Sequence, residues 1–404
     1  MSRCPWKAEL TPNYWWPFLI ILFLLGIYLQ VYLLAAFALM LGTISGIARW
    51  WARRALVSVN YLRRPFYRRA FPGELIPLTI EAENRKFLPL SWLLVKDSWP
   101  KAVGPQEEKI LVPTHLPDKG LLINLFSLRW YERARRHYQL LYRKRGVYQL
   151  GPARLESGDL FGIFSQIDED GPVDQITVFP KPLALDELYL PAGDPFGERR
   201  VRRRLHEDPN LSMGIREYRP EDDFRRIHWP ATAHTGELQV RVLQPVTAQV
   251  MAICLNVSTF QYYWQGVDPE LLERLVSAAA GLVEQALHTG YRVGMISNGC
   301  LMYSDQPFRI PPGRSPDQLG RLMSALAGVT PFVTAPFERL ILREANKLPP
   351  GTLMLILTSV VSQELREALV QLKRHGRHVS IIAYSTKAPL PIPGIRMHHI
   401  PYEA

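Results

Sequence analysis

Residues 251–260 read MAICLNVSTF, an apolar strand that runs into a polar turn. Beyond the strand, alternate positions carry Asn256, Ser258 and Phe260. One Asp and two Ser residues at this spacing form a known kind of site for a hard divalent cation, which takes oxygen ligands and gains most from carboxylates. Here an amide stands in place of the carboxylate, and an aromatic ring in place of the second hydroxyl. The chemistry left at this turn is hydrogen bonding.

A second constellation lies in GIREYRPEDDFRRIHWPATAHTGELQVRV, residues 214–242. It reads as a strand, an acidic turn, a short helix and another strand. Asp222 or Asp223 would cap the helix N-terminus, where free N–H groups and the dipole favour an anion. Arg225, Arg226 and His228 place positive charge beside those carboxylates, and Ile227 and Trp229 add apolar surface. Pro230 would stop or kink the helix. Gly236 permits the exit turn. If Asp222, Asp223 and His234 converged in a cleft, they could serve as acid–base groups of a hydrolase. A capping and ion-pair network that fixes how segments join is the other reading of the same residues.

Other reaction types find no support. The sequence has no glycine-rich phosphate loop, no His-Glu-x-x-His helix and no Gly-x-Ser-x-Gly elbow. His398 and His399 are adjacent, so on a strand their rings point to opposite faces and share no metal. Cys4, Cys254 and Cys300 form no Cys-x-x-Cys pair, and Cys254 sits inside an apolar run as a small core residue. No catalytic residue, metal ligand or cofactor is assigned, and the chain reads as a non-enzyme.

The elements that would position these residues fall into four segments: 1–56, 57–190, 191–248 and 249–404. From Trp15 to Ile47 no side chain is charged. One helix of that length would measure ~50 Å at ~1.5 Å per residue, against a hydrocarbon core of ~30 Å. A steeply tilted single span is one solution; a transmembrane helical hairpin turning near Gly26 to Gln30 is the other, and Arg3 and Lys7 at the N-terminal end favour it. Trp15, Trp16, Trp50 and Trp51 suit the interfacial belt, and Arg49, Arg53 and Arg54 place the following residues in the cytoplasm. Residues 57–190 alternate short strand-like runs with turn signals such as Pro72-Gly73 and Gly151-Pro152, the pattern of a β-sandwich-like domain. Residues 191–248 hold a linker and the acidic–basic segment. From 249 onward, buried strands alternate with amphipathic helices, which implies a mostly parallel α/β sheet covered on both faces. Ligands of such sheets bind beyond the carboxyl ends of the strands. The net charge of +11 is clustered at Arg63–Arg69, Arg129–Arg145 and Arg199–Arg204. Such runs suit anionic lipid or acidic protein. Their juxtamembrane position favours lipid over nucleic acid, and no nucleic acid partner is expected.

The 214–242 stretch resembles the signature of the domain-of-unknown-function 58 family, bacterial membrane-anchored proteins with a von Willebrand factor A-like domain. The resemblance is carried by Gly214, Arg216, Glu217, Tyr218, Pro220, Asp222, Asp223, Arg225, Ile227, Trp229, Ala233, Gly236 and Leu238, and by FPGE at 71–74, RKRGVYQLGP and DLFGIF at 159–164. Glu221, Pro230 and His234 depart from the usual Gly, polar residue and Arg. The resemblance implies a Rossmann-like C-terminal domain. In its metal-binding form a second Asp follows a later strand, and here Ser359 stands there, after Leu357-Thr358. Asn256, Ser258, Thr358 and Ser359 would then rim a degenerate metal site. Arg216, Tyr218, Asp222, Asp223, Arg225, Arg226, Trp229 and His234 would form the signature surface. The resemblance also implies a MoxR-type AAA+ ATPase as partner in chaperone-like complex assembly. The expected function is a membrane-anchored adaptor in the cell membrane, in contact with the lipid bilayer and with its soluble domains on the cytoplasmic side.

Overall fold

Two apolar helices, α1 (Trp15–Tyr28) and α2 (Tyr32–Ala55), open the described part of the chain. The computed structural model describes residues 15–169, 171–184, 207–220, 222–224, 227–245, 250–302 and 304–402. By their contacts they fall into two units, Met1–Pro180 and Lys181–Ala404. The arginine run at 199–204 lies outside the described residues, as does Cys4.

The helical hairpin turns at Leu29–Val31. Gly26 makes the turn possible: a Cβ there would meet the Ala35 backbone nitrogen at 2.7 Å. The helix Tyr32–Ala55 is long and apolar enough to cross a membrane, whereas the helix that precedes it is shorter. The last turns of α2 pack through Ala48, Ala52 and Ala55, whose small side chains let the helix lie close on the strands that follow.

Among its described residues the first unit continues with twelve strands: β1 (Val59–Pro65), β2 (Arg69–Ala70), β3 (Leu75–Asn84), β4 (Leu90–Pro100), β5 (Val103–Pro105), β6 (Leu111–Pro113), β7 (Lys119–Leu128), β8 (Arg133–Tyr142), β9 (Gly146–Leu150), β10 (Ala153–Gly158), β11 (Ser165–Asp168) and β12 (Asp174–Val178). They pair as β1-β3-β8-β5, β11-β10-β4-β7-β6 and a small β2-β12-β9 sheet. Alternating residues of all three sheets enter one core, which includes Leu78, Ile80, Leu93, Val95, Trp99, Leu122, Leu140 and Ile176.

The arginine runs at 63–69 and 129–145 are largely tied down. Arg64 and Arg135 pair with Glu81, Arg85 and Arg133 with Glu83, and Arg143 with Glu108. Much of the charge expected to face an anionic partner is thus matched across neighbouring strands.

Lys86 joins sandwich to helix. Its Nζ donates to the carbonyls of Ala55 at 2.6 Å and Val57 at 2.9 Å, at a helix end where carbonyls lack intrahelical partners. Burial pulls this ammonium down to about 8. Lys86→Met keeps the apolar stem and removes the donors. The expected loss is about 1–3 kcal/mol locally, read as faster amide exchange over residues 53–58 with strand β7 unchanged.

The second unit begins its described structure with β13 (Glu207–Glu217), α3 (Trp229–Thr235) and β14 (Gln239–Pro245). Then come β15 (Val250–Leu255), α4 (Pro269–His288), β16 (Arg292–Leu301), β17 (Pro307–Gly313), α5 (Gln318–Gly328), β18 (Val329–Val333), α6 (Phe337–Ala345), β19 (Leu353–Thr358), α7 (Gln363–Arg374), β20 (His378–Ser385) and β21 (Arg396–Pro401). Strands β16, β15, β19, β20 and β21 are parallel neighbours, while β17 and β18 both pair antiparallel with β16. Helices α6 and α7 share a core with Ala252, Cys254, Ile356 and Ile381. Helices α4 and α5 pack on each other and on β16. Asp268 caps α4, its Oδ1 accepting from Glu270 N and Leu271 N, with Pro269 at the first position as its fixed φ favours.

Candidate functional site

The parallel order brings the carboxyl ends of β15, β16 and β19 to one edge of the sheet, and a polar network forms there. Asn256 is 5% exposed, Thr358 fully buried and Ser359 7% exposed. Asn256 Oδ1 accepts from Ser258 N at 3.1 Å and from Asn298 Nδ2 at 2.9 Å. Its Nδ2 donates to Thr358 Oγ1 at 3.0 Å. The Thr358 hydroxyl in turn donates to Val360 O at 2.8 Å. Ser359 Oγ donates to Ser258 O at 2.8 Å. Asn256, Ser258, Thr358 and Ser359 therefore lie together.

Asn298 is the residue that sequence reading missed. It is fully buried, accepts from Val257 N at 2.9 Å, and reaches both Asn256 Oδ1 and Ser258 Oγ through its Nδ2. Thr334 holds it from another segment, donating to Asn298 O through its N at 2.9 Å and its hydroxyl at 2.7 Å. A signal was present: an Asn inside the otherwise apolar run VGMIS-N.

The donor set does not fit a hard dication. Both lone pairs of Asn256 Oδ1 are occupied by N–H donors, and an amide nitrogen faces Thr358 where a cation would need oxygen. Neither Asn256 nor Ser359 supplies a carboxylate. The Phe260 ring is 43% exposed and brings no ligand atom.

The turn continues into an aromatic loop. Tyr262 and Trp264 stack with ring centroids 4.5 Å apart at 11°, and Trp264 is 68% exposed. The loop is tied down at its far end, where Thr259 Oγ1 accepts from Asp268 N at 2.6 Å. Rigid, exposed aromatic rings beside a buried polar network make a surface suited to binding a macromolecule.

The signature segment is built differently from its sequence-based expectation. The helix expected directly after Asp222 and Asp223 runs through Arg225 and Arg226, outside the described residues, and the described helix α3 starts later, at Trp229. Asp222 takes a bidentate pair from Arg216, at 2.5 and 2.7 Å, and accepts from Arg219 N at 2.9 Å. The Arg216 guanidinium, then the Arg219 amide, hold its carboxyl below the usual range. The cap of α3 is His228, whose Nδ1 accepts from Ala231 N at 3.1 Å. Pro230 sits in the first turn of α3 and starts the helix it was expected to end; a missing N–H is harmless where no intrahelical acceptor exists. Gly236 closes the helix at φ 75°. Tyr218 packs on Phe224 at 5.4 Å, Trp229 is 66% exposed, and His234 is exposed in the last turn of α3. Arg225 and Arg226 lie outside the described residues. Pairing β13 to β14, with Ile227 bridged to Val240, makes this segment a self-bonded hairpin around a short helix.

Of the other groups considered, Cys254 is fully buried and its thiol is pushed up to about 12 by burial. His399 bonds Ser385 O at 2.8 Å through its Nε2. Half-buried His398 is lowered by burial and by Arg396.

Comparison with known proteins gives two sequence matches. The family described as "Protein of unknown function DUF58" matches residues 214–387, from the signature through β20. The uncharacterized protein YeaD of Bacillus subtilis (strain 168) is 19% identical over 245 residues, covering 56% of this chain and 52% of that protein. The chain thus spans about half the length of this curated relative. Among solved structures, the CARDB domain of the PF1109 protein from Pyrococcus furiosus is similar at 12% identity and a TM-score of 0.20, over 30% of this chain and 89% of that one. Spo0M, the sporulation control protein of Bacillus subtilis, is similar at 13% identity and a TM-score of 0.21, over 33% of this chain and 54% of that one. These two likenesses are too slight to inform the fold. Residues 214–387 are thus similar to the family of proteins of unknown function DUF58, and YeaD is a distant relative of this chain.

Proposed function

We propose that this chain is a membrane-anchored, non-enzymatic adaptor whose α/β domain is a von Willebrand A-like docking module with a degenerate metal site. The observation that carries the reading is the neutral, hydrogen-bonded network of Asn256, Asn298 and Thr358 at the carboxyl edge of a parallel sheet. In this fold class that edge is where ligands bind. A network with no carboxylate suits a protein surface better than an ion. The partner, by the family resemblance, is a MoxR-type AAA+ ATPase in chaperone-like assembly. Helix α2 is the proposed anchor in the cell membrane, and Arg49, Arg53 and Arg54 after its apolar stretch favour a cytoplasmic side for the soluble domains.

The docking surface centres on Tyr262 and Trp264. Solubilised native membranes should yield the ATPase with the full chain. The double change Tyr262→Ala, Trp264→Ala should weaken that capture by about 2 kcal/mol, roughly 30-fold. Repeated capture without any such ATPase would overturn the partner, and undiminished capture by the double variant would overturn the surface.

A further inference from the structure

The loop joining β10 to β11, Asp159-Leu160-Phe161-Gly162-Ile163-Phe164, is braced from inside. Asp159 is 1% exposed, and its carboxylate accepts from Phe161 N at 2.9 Å and Phe164 N at 2.6 Å. Its carbonyl accepts from Trp92 Nε1 at 3.1 Å. On this fixed turn Leu160, Phe161 and Ile163 are 59%, 72% and 51% exposed. Three large apolar side chains held outward contribute little to the sandwich core.

Their position gives them a use. Leu160 and Phe161 line an apolar groove with Ile44, Ile47, Ala48 and Trp51 of α2. Helix α2 is free of charge from Tyr32 to Ala48, and Arg49, Arg53 and Arg54 follow. The loop therefore stands beside α2 where the apolar stretch gives way to arginine. No ion pair joins these three arginines to a carboxylate among the described residues. The exposed apolar surface of the loop continues that of α2, where Ile47 is 63% and Trp50 49% exposed. An apolar tip beside unpaired positive charge complements the boundary between acyl chains and anionic headgroups.

We propose that the 159–164 loop is a membrane wedge: Leu160, Phe161 and Ile163 insert into the headgroup–acyl boundary of the bilayer that α2 crosses and seat the β-sandwich against the lipid. This rests on the membrane-anchor reading of α2.

The test uses the full chain with Cys4, Cys254 and Cys300 changed to Ala, reconstituted in phosphatidylethanolamine–phosphatidylglycerol vesicles with brominated acyl chains. Single changes Phe161→Cys, Phe37→Cys and Leu116→Cys each carry a bimane label. Phe37 lies on the exposed face of α2, and Leu116 lies beside β6 at the far edge of its sheet. Quenching at 161 should come within about twofold of that at 37 and exceed that at 116 at least about fivefold, as for a segment seated ~5–10 Å into the boundary. A photoreactive phenylalanine analogue at 161, with all three cysteines in place, should attach to lipid. Quenching at 37 without quenching at 161 overturns the wedge and leaves the anchor standing. No quenching at 37 overturns the anchor and the wedge with it. Attachment at 161 to protein, or a signal at 161 that varies with protein-to-lipid ratio, assigns the loop to a protein contact and overturns the proposal.

Discussion

Asp97→Ala should lower the stability of the first unit by about 3–5 kcal/mol, the range for removing one partner of a buried ion pair. Asp97 is fully buried and receives the Arg63 guanidinium at both oxygens, at 2.6 Å each, together with the Tyr61 hydroxyl at 2.9 Å. Burial, then the Asp97 charge, push that hydroxyl far above its ordinary range. Arg63 also reaches Asp174 at 3.1 Å and Pro172 O at 2.6 Å, so one guanidinium ties β1, β4 and the β12 edge together. Removing the carboxylate leaves a cation 4% exposed with only part of its compensation. The triple change Tyr61→Phe, Arg63→Met, Asp97→Leu should recover most of the loss, because an apolar cluster of similar volume carries no desolvation penalty. Since the chain has two units, a single unfolding midpoint is a poor readout. Amide exchange resolves them: peptides from β1, β3 and β4 should lose protection while β15 and β19 keep theirs. Equal protection in parent and Asp97→Ala chains would mean that the ion pair does not hold the sandwich.

Asn256→Asp should destabilise the second unit by about 2–3 kcal/mol at neutral pH, the cost of keeping a new carboxylate charged in a buried site, at about 1.36 kcal/mol for each tenfold rise in its proton affinity. The site is 5% exposed, and among the described residues no Lys or Arg side chain bonds Asn256. It offers the Asn298 Nδ2 and Ser258 N donors, while the Thr358 hydroxyl is already committed to Val360 O. The sign follows from linkage. A carboxyl raised in the fold holds its proton longer there than in the unfolded chain, so stability falls as pH rises above ~3.9 and the full deficit is reached above the raised value. Exchange from β15 and β19 should therefore be near that of the parent at acid pH and increasingly faster toward pH 8. A deficit that does not change with pH would point to lost shape in place of unpaired charge.

These two clusters differ in how far sequence discloses them. The rim turn was legible because Asn256 and Ser258 follow an apolar strand directly, and Thr358-Ser359 ends another. Asn298 was harder to read, since a lone Asn in a buried strand gains its meaning only from the neighbour beside it. Arg63 and Asp97 lie 34 residues apart with no local pattern linking them. The helix hairpin and α4 were legible from local signals, respectively a long charge-free run with a break near Gly26 to Gln30 and an Asp-Pro start. Strand β17 was missed because PFRIPPG carries three prolines; it is the outermost strand of its sheet, where proline is tolerated. Pro230 was misread because a proline between apolar residues marks either end of a helix, and only the His228 cap shows which.

If this sheet edge is the neutral docking surface proposed above, calorimetry with divalent cations should show it. The full chain in detergent is titrated with magnesium and with manganese, beside the triple change Asn256→Asp, Phe260→Ser, Ser359→Asp. The account predicts no binding heat from the natural chain and saturable heat from the triple variant, whose restored carboxylates and hydroxyl supply the oxygens a dication requires. Saturable binding of either cation by the natural chain, abolished by Asn256→Ala, would contradict it.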